Sequence, residues 1–217
     1  MAGKDSGQNV FMLTSFNPGS GKSFLAMNIA MSFAIKKKRI LVIDGDLRHG
    51  STSSYVDSPK TGLSDYLGNR VSDWKEIIVK DEKYDNLHII PIGTVPPNPT
   101  ELLEDGKLAT LIEVLRSEYD YIFIDCPPID IVADAQIIEK LADRTVFVVR
   151  SGLLDRSMLP ELENIYQEKR FKNLSVILNG TESAGGRYGY RYGYRNGYSS
   201  YYGNKGKMGG GKWMVIK

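Results

Sequence analysis

The chain has 217 residues, 41% of them hydrophobic and 25% charged, the make-up of one ordinary soluble globular domain. Its 28 basic and 26 acidic residues give a net charge of +2, too balanced for a chain that binds nucleic acid along its whole length. One cysteine excludes a disulfide scaffold and a cysteine-type zinc site, and two histidines, His49 and His88, exclude a histidine-rich metal centre. The most apolar helical stretch, residues 24–35, is too short to span a bilayer, and the N-terminus does not resemble a signal peptide, so a cytoplasmic chain is expected.

Strands and helices are predicted to alternate. Val10 to Ser15 is an apolar run closed by Asn17-Pro18-Gly19 and reads as a buried strand. Residues 22–37 carry Phe24, Met27, Ile29, Ala30, Phe33 and Ala34 at helical spacing, ending in Lys36-Lys37-Lys38 at the helix's negative end. Ile40 to Ile43 is a second strand. Two short helices are expected at Gly62–Leu67 and Trp74–Val79, then a strand over Leu87–Ile92. Pro96, Pro97 and Pro99 argue against regular structure, and Thr100 is expected to cap a helix running to about Arg116. Strands at Tyr121–Asp125, Thr145–Val149 and Leu174–Leu178 and helices at Ala133–Leu141 and residues 158–170 complete the body. Near-continuous apolar strands separated by amphipathic helices imply an α/β, doubly wound, mostly parallel sheet with helices on both faces. A ligand is expected in the crevice at the carboxyl ends of the strands.

Charge divides the chain. Residues 184–217 hold seven basic and no acidic residues, which leaves 21 basic and 26 acidic residues, net −5, in residues 1–183. The last 34 residues also hold ten glycines and the tyrosines Tyr188, Tyr190, Tyr192, Tyr194, Tyr198, Tyr201 and Tyr202. Such a segment buries too little apolar area to offset ordering entropy and is expected to be a flexible tail on a folded domain of residues 1–183.

Three strand ends carry chemistry. Between the first strand and helix lies Phe16-Asn17-Pro18-Gly19-Ser20-Gly21-Lys22-Ser23. A phosphate-binding loop needs backbone N–H groups facing a concavity that side chains would obstruct, hence Gly19 and Gly21. Lys22 supplies a charge for phosphate, and Ser23 a hydroxyl for Mg²⁺ at the helix's positive end. The full pattern has glycine where this chain has Phe16. After the second strand, Asp44 and Asp46 point to one side if the backbone stays extended; helix capping or a solvated turn is the plainer alternative. After Tyr121–Ile124, Asp125 is placed to hold Mg²⁺ through water, and Cys126 reads as buried filler. With Lys22 and Ser23 in this chain order, Asp125 points to nucleotide–Mg²⁺ binding.

The acceptor of the phosphoryl group separates the functional readings. Water makes an ATPase and a protein hydroxyl a kinase; an aspartate near its usual pKa of about 3.9 is a weak base for either. Clustered tyrosines on a mobile arm offer acceptors at high effective concentration to a neighbouring subunit. About four phosphates would cancel the arm's +7. A Gly/Tyr/Arg arm could instead stack on single-stranded nucleic acid through Arg187, Arg191 and Arg195.

Together with Val95-Pro96-Pro97-Asn98-Pro99-Thr100-Glu101-Leu102-Leu103 and the tyrosine cluster, these motifs resemble a bacterial protein-tyrosine kinase, the cytoplasmic domain of the capsule and exopolysaccharide type. The resemblance runs from about Val10 to Asn179 and includes the tail. Septum-positioning and partition ATPases share the P-loop pieces but usually carry a further lysine early in the loop, where this chain has Phe16-Asn17-Pro18. The resemblance implies that Pro18, Gly19, Ser20, Gly21, Lys22, Ser23 and Phe24 hold ATP. It assigns Ser23 and Asp125 to Mg²⁺, Asp44 and Asp46 to the acceptor tyrosine and the metal, and Asn179 to adenine. Arg48 either stabilises transferred charge or makes a surface salt bridge. The resemblance further implies trans-phosphorylation of tail tyrosines in a ring-like homo-oligomer, control of polysaccharide export with a membrane-spanning segment or partner, an opposing protein-tyrosine phosphatase, and no nucleic acid. Because the upstream arginine-bearing helix and membrane segment of relatives are missing, the chain is expected to be the C-terminal part of a longer, inner-membrane-associated protein. Eukaryotic-type kinase motifs are absent.

Overall fold

The computed structural model describes residues 7–129 and 133–181, so the tyrosines of residues 188–202 lie outside the described residues. The apolar runs are strands: β1 (Val10–Thr14), β2 (Ile40–Asp44), β3 (Val79–Lys80), β4 (Leu87–Ile90), β5 (Tyr121–Asp125), β6 (Arg144–Arg150) and β7 (Ser175–Asn179). They form one sheet in the order β3-β4-β2-β5-β1-β6-β7. All neighbours are parallel except the two-residue β3, which runs antiparallel to β4. Val79 therefore pairs in the sheet, and the helix expected at Trp74–Val79 is a 3-10 turn over Trp74–Ile77. β1 lies between β5 and β6, so the chain winds outward from it in both directions. Its carboxyl end is the switch point where such sheets open a crevice.

The two faces are covered differently. α1 (Lys22–Ile35) packs on one face through Ala26, Met27, Ala30 and Ala34, buried against Leu13, Ile40, Val42, Leu87, Ile89 and Phe123. Alanines at i, i+4 and i+8 let the helix backbone lie close to the strands. The other face carries α2 (Leu63–Leu67), α3 (Pro99–Glu104), α4 (Lys107–Glu118), α5 (Asp134–Glu139) and α6 (Leu159–Gln167). Phe16 is buried in that second core, with its ring edge-on to Phe147 at 4.8 Å. The position where the phosphate-loop pattern has glycine thus serves as a core anchor. Coverage ends at β7, where Val176 is 51% and Leu178 58% exposed. Among the described residues no helix is long and apolar enough to cross a membrane.

The expected single helix from Thr100 to Arg116 is two helices. Pro99 is the first residue of α3, where its missing N–H has no partner to lose, so this proline starts the helix it was expected to preclude. Thr100 is not the cap. Its hydroxyl donates to Asp134 Oδ1 (2.7 Å) and accepts from Arg48 Nη2 (3.0 Å). The break falls at Gly106, whose φ of 82° is left-handed and turns the chain into α4.

Nothing lies within 4 Å of where a Gly106 side chain would start, so substitution there tests backbone conformation alone. Gly106→Ala should cost about 1 kcal/mol and lower the melting temperature by about 2–4 °C, measured by thermal unfolding.

Candidate active site

Two carboxylates lie side by side at the carboxyl edge of the sheet. Asp44 and Asp125 end β2 and β5 and are directly paired in the parallel register, so their side chains leave the sheet on the same side. Both are buried, at 0% and 2% exposure. The segment after the Asp46 turn folds back over them: Thr52 Oγ1 donates to Asp125 Oδ2 (2.8 Å), and the Ser53 N–H and Oγ both donate to Asp44 Oδ2 (2.7 Å each). Ser53 Oγ also accepts from the Ile92 N–H (2.8 Å), which ties this segment to the exit of β4. One oxygen of each carboxylate, Asp44 Oδ1 and Asp125 Oδ1, is buried without a hydrogen-bond partner among the described residues.

Burial and proximity govern their ionisation. Desolvation first, then the charge of Asp125, pushes the Asp44 carboxyl up to about 7 despite the two bonds from Ser53. Desolvation also raises Asp125, opposed by the Ser23 and Thr52 hydroxyls and by Lys22. Lys22, the first residue of α1, is buried, and its Nζ donates to Ser15 Oγ (3.1 Å). Burial lowers its pKa, while the charges of Asp125 and Asp46 hold it up. Cys126 is buried, and desolvation raises its thiol well above the ordinary range, as expected for filler.

The chain does not stay extended past Asp44. Gly45 donates its N–H to Asp125 O (2.8 Å), and residues 46–50 turn, with His49 and Gly50 N–H groups donating to Asp46 O. The Asp46 carboxylate accepts from the Arg48 N–H and meets His49 Nδ1, both at 3.2 Å. It reaches the Lys22–Asp44 cluster through its charge. Arg48 pairs with the fully buried Asp134 through Nε (3.2 Å), the salt-bridge alternative of the two expected for it.

The loop from Phe16 to Ser23 is held from the opposite side of the sheet. Gly19 and Gly21 have φ of 71° and 92°, and for different reasons neither tolerates a side chain. At Gly19 only the backbone sign matters, because the space around it is open. At Gly21 a Cβ would also lie 2.3 Å from Asn179 Nδ2, which donates to Ser20 O at 2.9 Å. Asn179, expected to contact adenine, thus ends β7 beside the loop. Pro18 is exposed, Ser20 is buried with its hydroxyl donating to Asn17 O (2.8 Å), and Phe24 is half-buried in the first turn of α1. No side chain caps α1, so its positive end faces the site.

Among the described residues no three histidine, cysteine or acidic side chains form a metal cage. The two orphaned carboxylate oxygens, with the Ser23 hydroxyl at Asp125, nevertheless fit Mg²⁺, a hard cation that takes few protein oxygens and completes its shell with water and phosphate. The sequence reading missed Thr52, Ser53 and Arg150. The run Ser51-Thr52-Ser53-Ser54 was the available signal for the first two, but a linear sequence does not say which strand ends it turns back to.

The fold and loop define a P-loop NTPase-type α/β protein. A family model for AAA domains matches residues 9–154. The chain is 35% identical over 200 residues to the tyrosine-protein kinase CpsD of Streptococcus pneumoniae, covering 91% of this chain and 84% of that protein. It also resembles the solved kinase domain of the Escherichia coli tyrosine kinase ETK, with a TM-score of 0.76 and 31% identity over 88% of this chain and 74% of that one. The chain belongs to the bacterial tyrosine-protein kinase family. Other relatives are longer, and the chain spans 25–27% of their length. The septum site-determining protein MinD of Pyrococcus horikoshii, solved with Mg-ADP, shares the fold with a TM-score of 0.65 at 22% identity, covering 80% of this chain and 70% of that one.

The raised Asp44 carboxyl makes the metal-free fold pH-dependent. The folded state holds a proton that the unfolded chain has released above about pH 4, so stability falls as pH rises from about 4 to about 7. Asp44→Asn should remove the part of this slope that Asp44 contributes. In EDTA it should exceed the parent by up to about 4 kcal/mol at pH 8 and converge with it towards pH 4, measured by denaturant unfolding across that range.

Proposed function

We propose that the chain is an ATP-dependent protein-tyrosine kinase that modifies its own C-terminal tyrosine cluster. The observation that carries this reading is the pair of buried aspartates with unpartnered oxygens opposite a glycine loop and a buried lysine. Ser23 and Asp125 would hold Mg²⁺, which would supply neutralising charge to the phosphates. The protein's own groups do the rest. Lys22 and the loop N–H groups position the triphosphate, and burial strengthens their pull on developing charge. Asp44 and Asp46 orient the acceptor phenol. A bond forms between its oxygen and the γ-phosphorus, the bond to the leaving oxygen of ADP breaks, and the phenolic proton passes to a carboxylate.

Tyr188, Tyr190, Tyr192, Tyr194, Tyr198, Tyr201 and Tyr202 are the proposed acceptors, presented to a neighbouring subunit of a ring-like homo-oligomer. The proposed setting is capsule or exopolysaccharide synthesis and export beside a membrane-spanning segment or partner, opposed by a protein-tyrosine phosphatase. Family membership and the arm's composition support this reading.

Incubation with Mg²⁺ and γ-labelled ATP, followed by mass-spectrometric mapping, should place phosphate between Tyr188 and Tyr202. Free phosphate without labelled protein would point instead to a plain ATPase of the septum or partition type. Lys22→Met should lower labelling by at least about a hundredfold, because the phosphate loses its charged partner. Labelling that survived this change would place the site elsewhere.

A further inference from the structure

Two side chains from the far side of the sheet grip consecutive carbonyls of the phosphate loop. Arg150 ends β6 and donates from Nη1 to Gly19 O at 2.6 Å. Asn179 ends β7, is paired with Arg150 in the strand register, and donates to Ser20 O at 2.9 Å. A trans peptide is planar, and its C=O and N–H point in opposite directions. Holding the Gly19 carbonyl towards β6 therefore turns the Ser20 N–H away from it, and holding the Ser20 carbonyl towards β7 does the same for the Gly21 N–H. Among the described residues nothing accepts a hydrogen bond from either N–H. The left-handed glycines on either side of Ser20 would let this segment relax into other turns if the carbonyls were released. Among the described residues no carboxylate pairs with Arg150, so its carbonyl bond has no ion pair competing with it.

We propose that Arg150 is a positioning residue for phosphate recognition: its grip on the Gly19 carbonyl aims the loop's N–H groups at the nucleotide's phosphates. This rests on the nucleotide-binding reading above. It gives a role to a residue 131 positions from its partner, at a strand end that carries no phosphate-binding motif.

The test compares the affinities of Mg-ADP and adenosine for the full chain and for Arg150→Met and Arg150→Lys by titration calorimetry. Arg150→Met should weaken Mg-ADP about tenfold and leave adenosine unchanged, because only phosphates meet the aimed N–H groups. Arg150→Lys, which keeps one donor, should recover most of the loss. The Met-to-parent ratio should hold between about 50 mM and about 500 mM KCl, whereas a direct charge contact with phosphate would weaken with salt. Mg-ADP binding unchanged in Arg150→Met, an equal loss for adenosine, or a ratio that collapses with salt would each overturn the proposal. If the parent chain bound no Mg-ADP, the nucleotide reading itself would fail and the role of Arg150 with it.

Discussion

Two carboxylates forced together out of water set the terms for everything else at the carboxyl edge of this sheet. Asp44 and Asp125 are adjacent because β2 and β5 are parallel neighbours in register, and they are dry because Thr52 and Ser53 fold back over them. Each keeps one oxygen with no partner among the described residues. Buried polar atoms are normally satisfied, and leaving one unsatisfied is destabilising by about 1–3 kcal/mol, more when it is charged. An arrangement of this kind persists in a fold when something outside the chain completes it. Among the described residues the buried Lys22 on α1 is the cation that lowers Asp125, and one ammonium does not balance the three acids around it.

The loop and the carboxylates are built from opposite wings of the sheet. β2 and β5 carry the acids on one side of β1, while β6 and β7 hold the loop's carbonyls on the other. The switch in winding at β1 is what makes both possible. A sheet wound in one direction only would leave one flank of the loop without a strand end to hold it. The Arg48–Asp134–Thr100 cluster adds a third support, linking the turn after Asp46 to α5 and α3.

Much of this was legible in the sequence because the strongest signals are local. A glycine loop between a strand and a helix, and aspartates at the ends of wholly apolar strands, depend on spacings of a few residues. They pick out Lys22, Ser23, Asp44 and Asp125, which the structure places at one carboxyl edge of the sheet. Asp46 was harder, since its direction depends on whether the backbone stays extended past Gly45, and it turns. The split between α3 and α4 turned on Gly106, an isolated glycine in an otherwise helical pattern, and on Pro99, whose residue type alone does not reveal whether it ends or begins a helix. Thr52, Ser53 and Arg150 were out of reach for another reason. Their partners lie 73, 9 and 131 residues away, and only the folded register brings them near.

The unsatisfied acids also bear on how long the chain survives. A protein whose empty pocket carries an electrostatic penalty gains stability from any ligand that relieves it, in proportion to the logarithm of that ligand's concentration. Opening of the empty form exposes backbone to proteases, so a ligand that completed the two carboxylates would also lengthen the lifetime of the molecule.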